Sequence, residues 1–489
     1  MRRRGQLGDG VDALLQRSVD ERFSDCAAAV QVLFATAADV QVTHLSPSKK
    51  NRVGCELILV LCQGLYDVNR FEDVVLPRLQ LAVSGDLLAT TPEQLITGLN
   101  MPNVRRISTY SEAAGAVLSG QLVVFVSGGA VAIDIAKHPN RKPEDSNLEV
   151  TLFGGRDGFI EDLTTNVALV RKRVNTLALC VEEYQIGRLS KTRVALLFRG
   201  DASNPASVEE VRRHLVHNDI ESVESGTELV DLLNPSKYAF IQNYRLSGRP
   251  DFVVRCLREG RFALFIDAAP VAMLAPVTLT FLLRAADDMY VSFPFVVFER
   301  ILRYLAFVMA LFLPGFYVAI TAMHPDQVPL SLLATLVNSR RGVPFSTPLE
   351  AIGMLILFEI FKESGTHLPQ PAGNTLSVVG GLIIGDAAIR AGLTSPALVV
   401  VISASAVTLY AIANHALAGA VSLLRIGILI IAAAFGMYGF ILSCIFVVTY
   451  LAQIRSFGTP FLFPVSPFRG VAFLRTYWSN WSTRRRRST

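Results

Sequence analysis

Four ionisable side chains lie within apolar segments of the C-terminal half, where a charge can bind an ion or pair with another charge. Glu359 and Glu363 are four residues apart at the end of a short apolar segment, and Asp386 and Arg390 are four apart in the next. Residues with this spacing share one face of a helix. Ionisable groups in apolar segments are costly and usually face a protein interior or a water-filled path. We therefore expect these residues to line or gate an ion path; the alternative for Asp386 and Arg390 is a buried structural pair.

The segment that carries Asp386 also contains Gly381 and Gly385, with the small-x-x-x-small spacing of closely packed membrane helices. Close helix contact beside these charges favours a bundle with a polar path, as a channel or a transporter requires. We find no inverted repeat between the halves of this region, which makes a secondary transporter the weaker hypothesis. A single chain with four membrane crossings could hardly enclose an aqueous path. A channel therefore also requires a symmetric ring of subunits.

The composition of the chain excludes a simple soluble enzyme. Of the 489 residues, 51% are hydrophobic and 18% are charged, and the mean hydropathy is +0.41. A soluble globular protein carries about 25% charged residues. The net charge of +5 does not indicate nucleic-acid binding, and the six cysteines never form a C-x-x-C pair. We therefore expect reduced thiols rather than a disulfide framework or a zinc site.

No stretch of the chain matches a catalytic motif. Ser190, Lys191 and Thr192 follow Gly187 and Arg188, but the G-x-x-x-x-G-K-[ST] spacing of a phosphate loop is missing. A basic turn that leads into a strand is the better interpretation. The patterns G-x-S-x-G and H-E-x-x-H do not occur either. The prediction is a protein that is not an enzyme, with no catalytic residue, no cofactor and no metal.

Long apolar stretches follow one another in the C-terminal half of the chain. Three of them are long enough to cross about 30 Å of hydrocarbon, namely 304–323, 397–418 and 426–451. Segment 376–393 is also long enough but carries charges, and 349–361 is short. The chain is therefore predicted to be an integral membrane protein.

Basic residues predict the orientation of these segments. Arg300 and Arg303 precede the first clear span, and Arg455 and the arginine run 484–487 follow the last. Cytoplasmic flanks of membrane helices carry an excess of basic residues. Both termini are therefore expected in the cytoplasm, which requires an even number of crossings, and we expect four.

The N-terminal half contains an internal repeat. Residues 120–132 align without gaps with residues 260–272, and the apolar strand 57–62 upstream is matched by 194–198. Short strands that alternate with helices predict an α/β fold, here with a largely parallel sheet. Two similar α/β subdomains are therefore expected, the alternative being a chance resemblance between two helix–strand–turn units.

These patterns predict a cytoplasmic region of two similar α/β subdomains, followed by a polytopic α-helical membrane domain. The expected division is an N-terminal helical or flexible segment 1–45, α/β subdomain 1 at 46–150, a helical connector 151–191, α/β subdomain 2 with a membrane-proximal segment at 192–283, the membrane domain 284–455 and a basic cytoplasmic tail 456–489.

Several short motifs follow one another along the chain between residues 154 and 467. They are Asp157-Gly158-Phe159-Ile160-Glu161 with Asn166, Gly187-Arg188 with Ser190-Lys191-Thr192, Arg249-Pro250-Asp251, Asp267 with Pro270, Leu313-Pro314-Gly315, Val343-Pro344-Phe345, Phe358-Glu359 with Glu363, Gly385-Asp386-Ala387 and Phe457-Gly458. In this order the chain resembles the A subunit of the GerA-type germinant receptors of endospore-forming bacteria. Phe159-Ile160-Glu161 is also similar to the sporulation protein AF branch, a paralogue that amplifies germination.

The resemblance implies a multi-pass protein of the spore inner membrane with a two-lobed cytoplasmic N-terminal domain. Its partners would be a transporter-like B subunit, which senses the nutrient, and a lipoprotein C subunit. The A subunit would form an oligomeric ring that releases cations when germination begins. A non-conducting scaffold that transduces the signal is the alternative, and so is an amplifier like sporulation protein AF.

Overall fold

The computed structural model describes residues 11, 13–19, 23–46, 55–84, 91–137, 155, 157–216, 240–366 and 385–466. Gly381, the first part of the predicted segment 376–393 and the arginine run 484–487 lie outside these residues. The chain divides into two compact units. The first comprises Met1–Pro235 with Leu246–Pro276, and the second comprises Ser236–Arg245 with Val277–Thr489.

Two five-stranded sheets with the same strand order build the first unit. The first sheet contains β1 Val40–Leu45, β2 Leu57–Cys62, β3 Val104–Ile107, β4 Leu122–Val126 and β5 Gly129–Ile133, in the order β1-β2-β4-β5-β3. The second contains β6 Leu179–Ile186, β7 Thr192–Arg199, β8 Arg245–Ser247, β9 Phe262–Ile266 and β10 Ala272–Ala275, in the order β6-β7-β9-β10-β8. Each strand of the first sheet has its counterpart in the second, as expected for a duplicated subdomain.

The predicted parallel arrangement is wrong. All four ladders of the first sheet are antiparallel, and so are β6–β7, β7–β9 and β9–β10. The reason is visible between β4 and β5, where Val126 pairs with Gly129 across a two-residue turn. A turn this short can only join antiparallel strands.

Each sheet begins before the residue at which the sequence analysis placed its subdomain. Strand β1 lies within the segment 1–45, and β6 lies within the connector 151–191. Both are edge strands with exposed or half-exposed side chains along part of their length. They therefore lack the continuous apolar run that marks a central strand such as β2, whose six residues are all buried.

Helices cover the sheets. In chain order they are α1 Phe23–Leu33, a short helix Val68–Arg70 that continues as a π-helical turn Phe71–Val75 into α2 Leu76–Ser84, α3 Pro92–Leu99, α4 Tyr110–Leu118, α5 Leu163–Arg173, α6 Pro205–Val216 and α7 Pro250–Arg258. Alternate residues of β2 lie in two separate cores. Ile58 and Val60 pack with α1 and α4, and Leu57 and Leu59 pack with α2 and α3. Helices on both faces explain why the whole strand is apolar.

A buried ion pair connects the two subdomains of the first unit. Arg171 of α5 donates from Nε and Nη2 to the two carboxylate oxygens of Asp39, at 2.7 and 2.6 Å. Its Nη1 donates to the carbonyl oxygens of Thr176 and Leu179. The Cys62 thiol lies 3.6 Å from Asp39 Oδ2, and its pKa is raised strongly by burial and by that carboxylate. The pair thus fixes the start of β1 against α5 and β6.

The second unit is helical. Its elements are the short helix Leu279–Leu282, a 3-10 turn Ala286–Met289, α8 Phe293–Val318 with a π-helical turn Ala319–Met323, a 3-10 turn Pro325–Gln327, α9 Leu330–Ser339, α10 Thr347–Thr366, α11 Pro396–Tyr410, α12 His415–Gln453 and a hairpin of β11 Arg455–Ser456 with β12 Thr459–Pro460. Residues 385–390 are also helical. Among the described residues, two helical stretches are long and apolar enough to cross a membrane, Phe293–Met323 and His415–Gln453.

The predicted span 397–418 is not one helix. Helix α11 ends at Tyr410, and α12 begins after Asn414, whose side chain accepts a hydrogen bond from Leu417 N at 2.8 Å. An asparagine in this position is a strong helix start. The predicted span 426–451 lies inside α12, which changes direction at Gly436 (φ 61°, ψ −141°). A Cβ at this position would lie 2.8 Å from Met323 Cβ, so only glycine fits.

Residues 456–466, assigned to the basic tail, are folded. Ser456 Oγ accepts a hydrogen bond from Val277 N and donates one to the Asn243 carbonyl, at 2.9 and 2.7 Å. Leu279 N donates to the carbonyl oxygen of Phe461, which is fully buried. This segment therefore belongs to the second unit.

Replacing Asp39 by Asn should lower the free energy of unfolding by about 3–5 kcal/mol, because Arg171 would stay buried without an anion. Asp201→Asn is the matched control, since Asp201 pairs with Arg199 at the surface and such pairs contribute about 0–1 kcal/mol. Urea unfolding of the full-length protein in detergent, followed by circular dichroism, measures both. Equal losses for the two variants would contradict the role given to the buried pair.

Candidate functional site

One of the two most deeply buried charges described in the second unit is Arg425. It lies in α12 within a long apolar stretch, and its side chain is 1% exposed. Arg425 is not among the predicted site residues, because it lies one residue before the predicted span 426–451. The signal was present, since a single basic residue between Ser422 and Ile431 interrupts an otherwise uncharged stretch. An apolar segment counted from the first residue of α12 would have included Arg425 and identified it as a charge within the segment.

Glu359 of α10 is the partner of Arg425. Its Oε1 accepts a hydrogen bond from Arg425 Nη2, and its Oε2 lies 2.6 Å from the Nζ of Lys362, one helical turn away. Lys362 Nζ also donates to Ser422 Oγ at 2.8 Å. The carboxylate of Glu359 is therefore neutralised by two cations within the chain. Its predicted place on an ion path stays a prediction.

Two further hydrogen bonds extend this network to other helices. Arg425 Nη1 donates to Ser405 Oγ of α11 at 3.2 Å, and Ser405 Oγ donates to the carbonyl oxygen of Ala310 in α8 at 3.0 Å. Four helices, α8, α10, α11 and α12, are thus joined through polar atoms in an apolar surrounding. Because a buried charge is stable only when it is paired, the network fixes which helix faces meet.

A second carboxylate, Glu350, is buried at the start of α10. Its side chain is 0% exposed, and its Oε1 accepts hydrogen bonds from Thr394 Oγ1 at 3.0 Å and from Ser395 N at 2.5 Å. Glu350 is not among the predicted site residues, because it lies at the first turn of the apolar segment 349–361, where a charge is expected to mark the end of the segment. Its contacts connect α10 to the turn that precedes α11.

Asp386 and Arg390 form an ion pair, as their spacing predicts, with Oδ2 and Nε 2.9 Å apart. Their side chains are 55% and 80% exposed, so the pair is not buried within the chain. Glu363 is exposed as well. Gly385 is buried, and a Cβ there would approach Val399 Cγ1 of α11 to 3.2 Å, whereas Gly381 lies outside the described residues.

The family motif Gly187 to Thr192 forms the loop between β6 and β7. Gly187 (φ 88°) and Lys191 (φ 45°) take left-handed conformations. Thr192 Oγ1 donates to Ser190 Oγ at 2.9 Å, and Arg188 is exposed. The basic turn expected from the sequence is present here, and its geometry is that of a hairpin connection.

The motif Arg249-Pro250-Asp251 starts helix α7. Arg249 is buried and pairs with Asp251, with Nη2 and Oδ2 2.8 Å apart. Pro250 occupies the first helical position, which suits proline because it needs no hydrogen-bond donor there. These residues position a helix against the second sheet.

Asp267 and Pro270 lie in the turn between β9 and β10. Asp267 Oδ1 accepts a hydrogen bond from Leu163 N at the start of α5, at 3.2 Å, and Pro270 is exposed. The buried Asn166 of α5 bonds both backbone groups of Ile160, at 2.5 and 2.9 Å. The motifs of the first unit thus join the loop before α5 to the second sheet.

Replacing Arg425 by Gln should lower the free energy of unfolding by about 3–5 kcal/mol, because Glu359 loses its most buried partner. Replacing both Glu359 and Arg425 by Gln removes the two charges together and should restore much of this loss. SDS titration of the full-length protein in detergent micelles measures the three proteins. If the double variant is no more stable than Arg425→Gln, side-chain packing rather than charge pairing stabilises these helices.

Comparisons with known proteins agree with the resemblance seen in the motifs. The family profile described as Bacillus/Clostridium GerA spore germination protein matches residues 28–487. Spore germination protein XA of Bacillus anthracis is 38% identical over 419 residues, 84% of each chain. The uncharacterized membrane protein YfkQ of Bacillus subtilis (strain 168) is 31% identical over 437 residues, 88% of this chain and 85% of that protein. The crystal structure of the N-terminal domain of the A subunit of the Bacillus megaterium spore germinant receptor GerK3 covers 53% of this chain and 96% of that chain, at 22% identity and a TM-score of 0.40. The chain belongs to the GerA family of spore germination proteins.

Proposed function

We propose that the chain is the A-type subunit of a germination receptor and that a ring of copies releases cations across the spore inner membrane. Nutrient signals would reach it through a transporter-like B subunit and a lipoprotein C subunit. Membership of the GerA family supports the germination role. The α/β unit, with its two similar sheets, is the part of the chain available on the cytoplasmic side for receiving such signals.

The surface of the second unit supports a membrane location. Large apolar side chains are exposed on α11 and along both parts of α12, among them Val400, Val407, Leu423, Phe435 and Ile445. Such a surface needs lipid or another subunit to cover it. One relative is named a membrane protein. We propose four crossings with both termini in the cytoplasm, of which two correspond to Phe293–Met323 and His415–Gln453.

The observation that carries the conduction proposal is the exposed pair of Asp386 and Arg390. It lies next to α11 in a unit whose other exposed side chains are largely apolar. A charged pair at such a surface is stable where it meets water or a neighbouring subunit. A ring of copies would provide both, with the pair at the edge of a polar path.

The network around Arg425 favours the second candidate, a non-conducting scaffold. Its charges are paired within one chain, so they stabilise the bundle without needing an ion path. An amplifier like sporulation protein AF would share this architecture. Conduction by the purified protein distinguishes the first candidate from the scaffold.

The test is cation flux through the purified full-length protein in liposomes at low ionic strength. Asp386→Asn leaves the positive Arg390, which repels cations, and should therefore lower the flux. The loss is about tenfold if the pair lies in a cleft whose apolar walls strengthen the electric field of its charges. Arg390→Gln leaves the negative Asp386 and should raise the flux. Because both side chains are exposed, neither change should cost more than about 1 kcal/mol of stability.

The double variant Asp386→Asn with Arg390→Gln controls for side-chain size and should conduct nearly as the original protein does. The double variant Glu359→Gln with Arg425→Gln tests another of the predicted residues, because the single change would leave Arg425 buried without an anion; a change in flux with unchanged stability would place this pair on the path. Flux that is equal in the two single variants would exclude Asp386 and Arg390 from the path. No flux, even with the B-type subunit present, would favour the scaffold.

A further inference from the structure

Glu350 lies among buried polar atoms that have no hydrogen-bond partner. Its Oε1 accepts two hydrogen bonds, but its Oε2 accepts none. The unpartnered atoms near it are Tyr317 OH, Arg340 Nε, Thr347 Oγ1 and Ser395 Oγ. Thr347, Glu350 and Ser395 are each more than nine-tenths buried. Each of these five residues carries a buried side-chain atom without a hydrogen-bond partner, which indicates an occupant rather than scattered defects.

These residues come from four elements and meet at one place. Ser395 N is 2.5 Å from Glu350 Oε1, which places the serine hydroxyl beside the carboxylate. Thr347 precedes Glu350 by three residues on the same face of α10. The Tyr317 hydroxyl of α8 interacts with the Ser395 side chain, without the geometry of a formed hydrogen bond, and with the charges of Glu350 and Arg340. Arg340 Nε is 4.0 Å from Glu350 Oε2, beyond hydrogen-bond distance. We call these five residues the Glu350 cluster.

We propose that the Glu350 cluster binds a monovalent metal cation such as K⁺ or Na⁺, in competition with the guanidinium of Arg340. Carboxylate and hydroxyl oxygens are the ligands of hard cations, and the cluster offers one carboxylate and three hydroxyls. A Ca²⁺ site normally uses several carboxylates, whereas this one has a single carboxylate and a guanidinium nearby. The charge therefore suits a monovalent ion.

Arg340 is placed to act as a replaceable internal cation. It follows α9, its side chain is 30% exposed, and its Nη2 donates to the carbonyl oxygen of Phe345 at 3.3 Å. It balances the charge of Glu350 without a hydrogen bond to Oε2. The side chain can swing towards solvent and leave Glu350 to a metal ion, which makes contacts with oxygen atoms that the guanidinium does not.

This inference goes beyond the proposed function, because cation binding is a property of the single chain. Equilibrium binding to detergent-solubilised protein detects it without any flux. Failure of the binding test would therefore leave the conduction proposal standing, and absence of flux would leave the Glu350 cluster standing.

The experiment is equilibrium binding of radioactive rubidium ions to the purified full-length protein. Arg340→Gln removes the competing charge and should raise the affinity for rubidium by about tenfold or more, as expected for one charge about 4 Å away. Its thermal midpoint should also rise by about 3 °C when potassium chloride replaces N-methylglucamine chloride at constant ionic strength. Adding Glu350→Gln to Arg340→Gln should abolish both effects.

Arg106→Gln is the matched control, because it separates an exposed Arg–Glu pair in the first unit. If the variant with Glu350→Gln does not fold, Tyr317→Phe and Ser395→Ala in the Arg340→Gln background each remove one oxygen and should weaken binding. Rubidium binding by Arg340→Gln no tighter than by Arg106→Gln would overturn the proposal and leave the cluster as a water site.

Discussion

The pairing of Arg425 is the constraint on which the helical unit depends. A guanidinium that is almost completely buried among apolar helices must find an anion and hydrogen-bond acceptors there. Glu359 provides the anion, Ser405 an acceptor, and Ser405 is itself bonded to the backbone of α8. Apolar contacts alone would tolerate many rotations of one helix against another. The position of one charge restricts α8, α10, α11 and α12 to a single set of facing sides.

Three carboxylates of the helical unit have different roles because their surroundings differ, although residue type alone does not distinguish them. Glu359 is neutralised by two cations. Glu350 is fully buried, uses one oxygen for hydrogen bonds and keeps the other without a partner. Asp386 pairs with Arg390 at an exposed surface. The first holds helices together, the second leaves a place for a ligand, and the third remains accessible to water or to another subunit.

Much of the first unit could be predicted because its central strands are short apolar runs and its two halves repeat one another. The direction of the strands could not be predicted from their alternation with helices, because this alternation occurs in parallel and in antiparallel sheets. The two-residue turn after Val126 makes β4 and β5 antiparallel. Asp386 was found because it interrupts an apolar segment. Glu350 was not, because it begins an apolar stretch, and Arg425 was not, because it lies one residue before the predicted span 426–451. The burial of both depends on contacts with other helices that local composition does not contain.

The break at Gly436 divides α12 into two helical segments. The part before it carries Ser422 and Arg425, which are tied to α10 and α11. The part after it leads to the hairpin Arg455–Pro460, which is bonded to Asn243 and Val277 near the start of the unit. Because the glycine adopts a backbone conformation outside the helix, the two parts do not form one straight rod. Since Met323 and His324 pack against Gly436 so closely that a Cβ would not fit, this contact sets the angle between the segment that carries the charge network and the segment that leads to the hairpin.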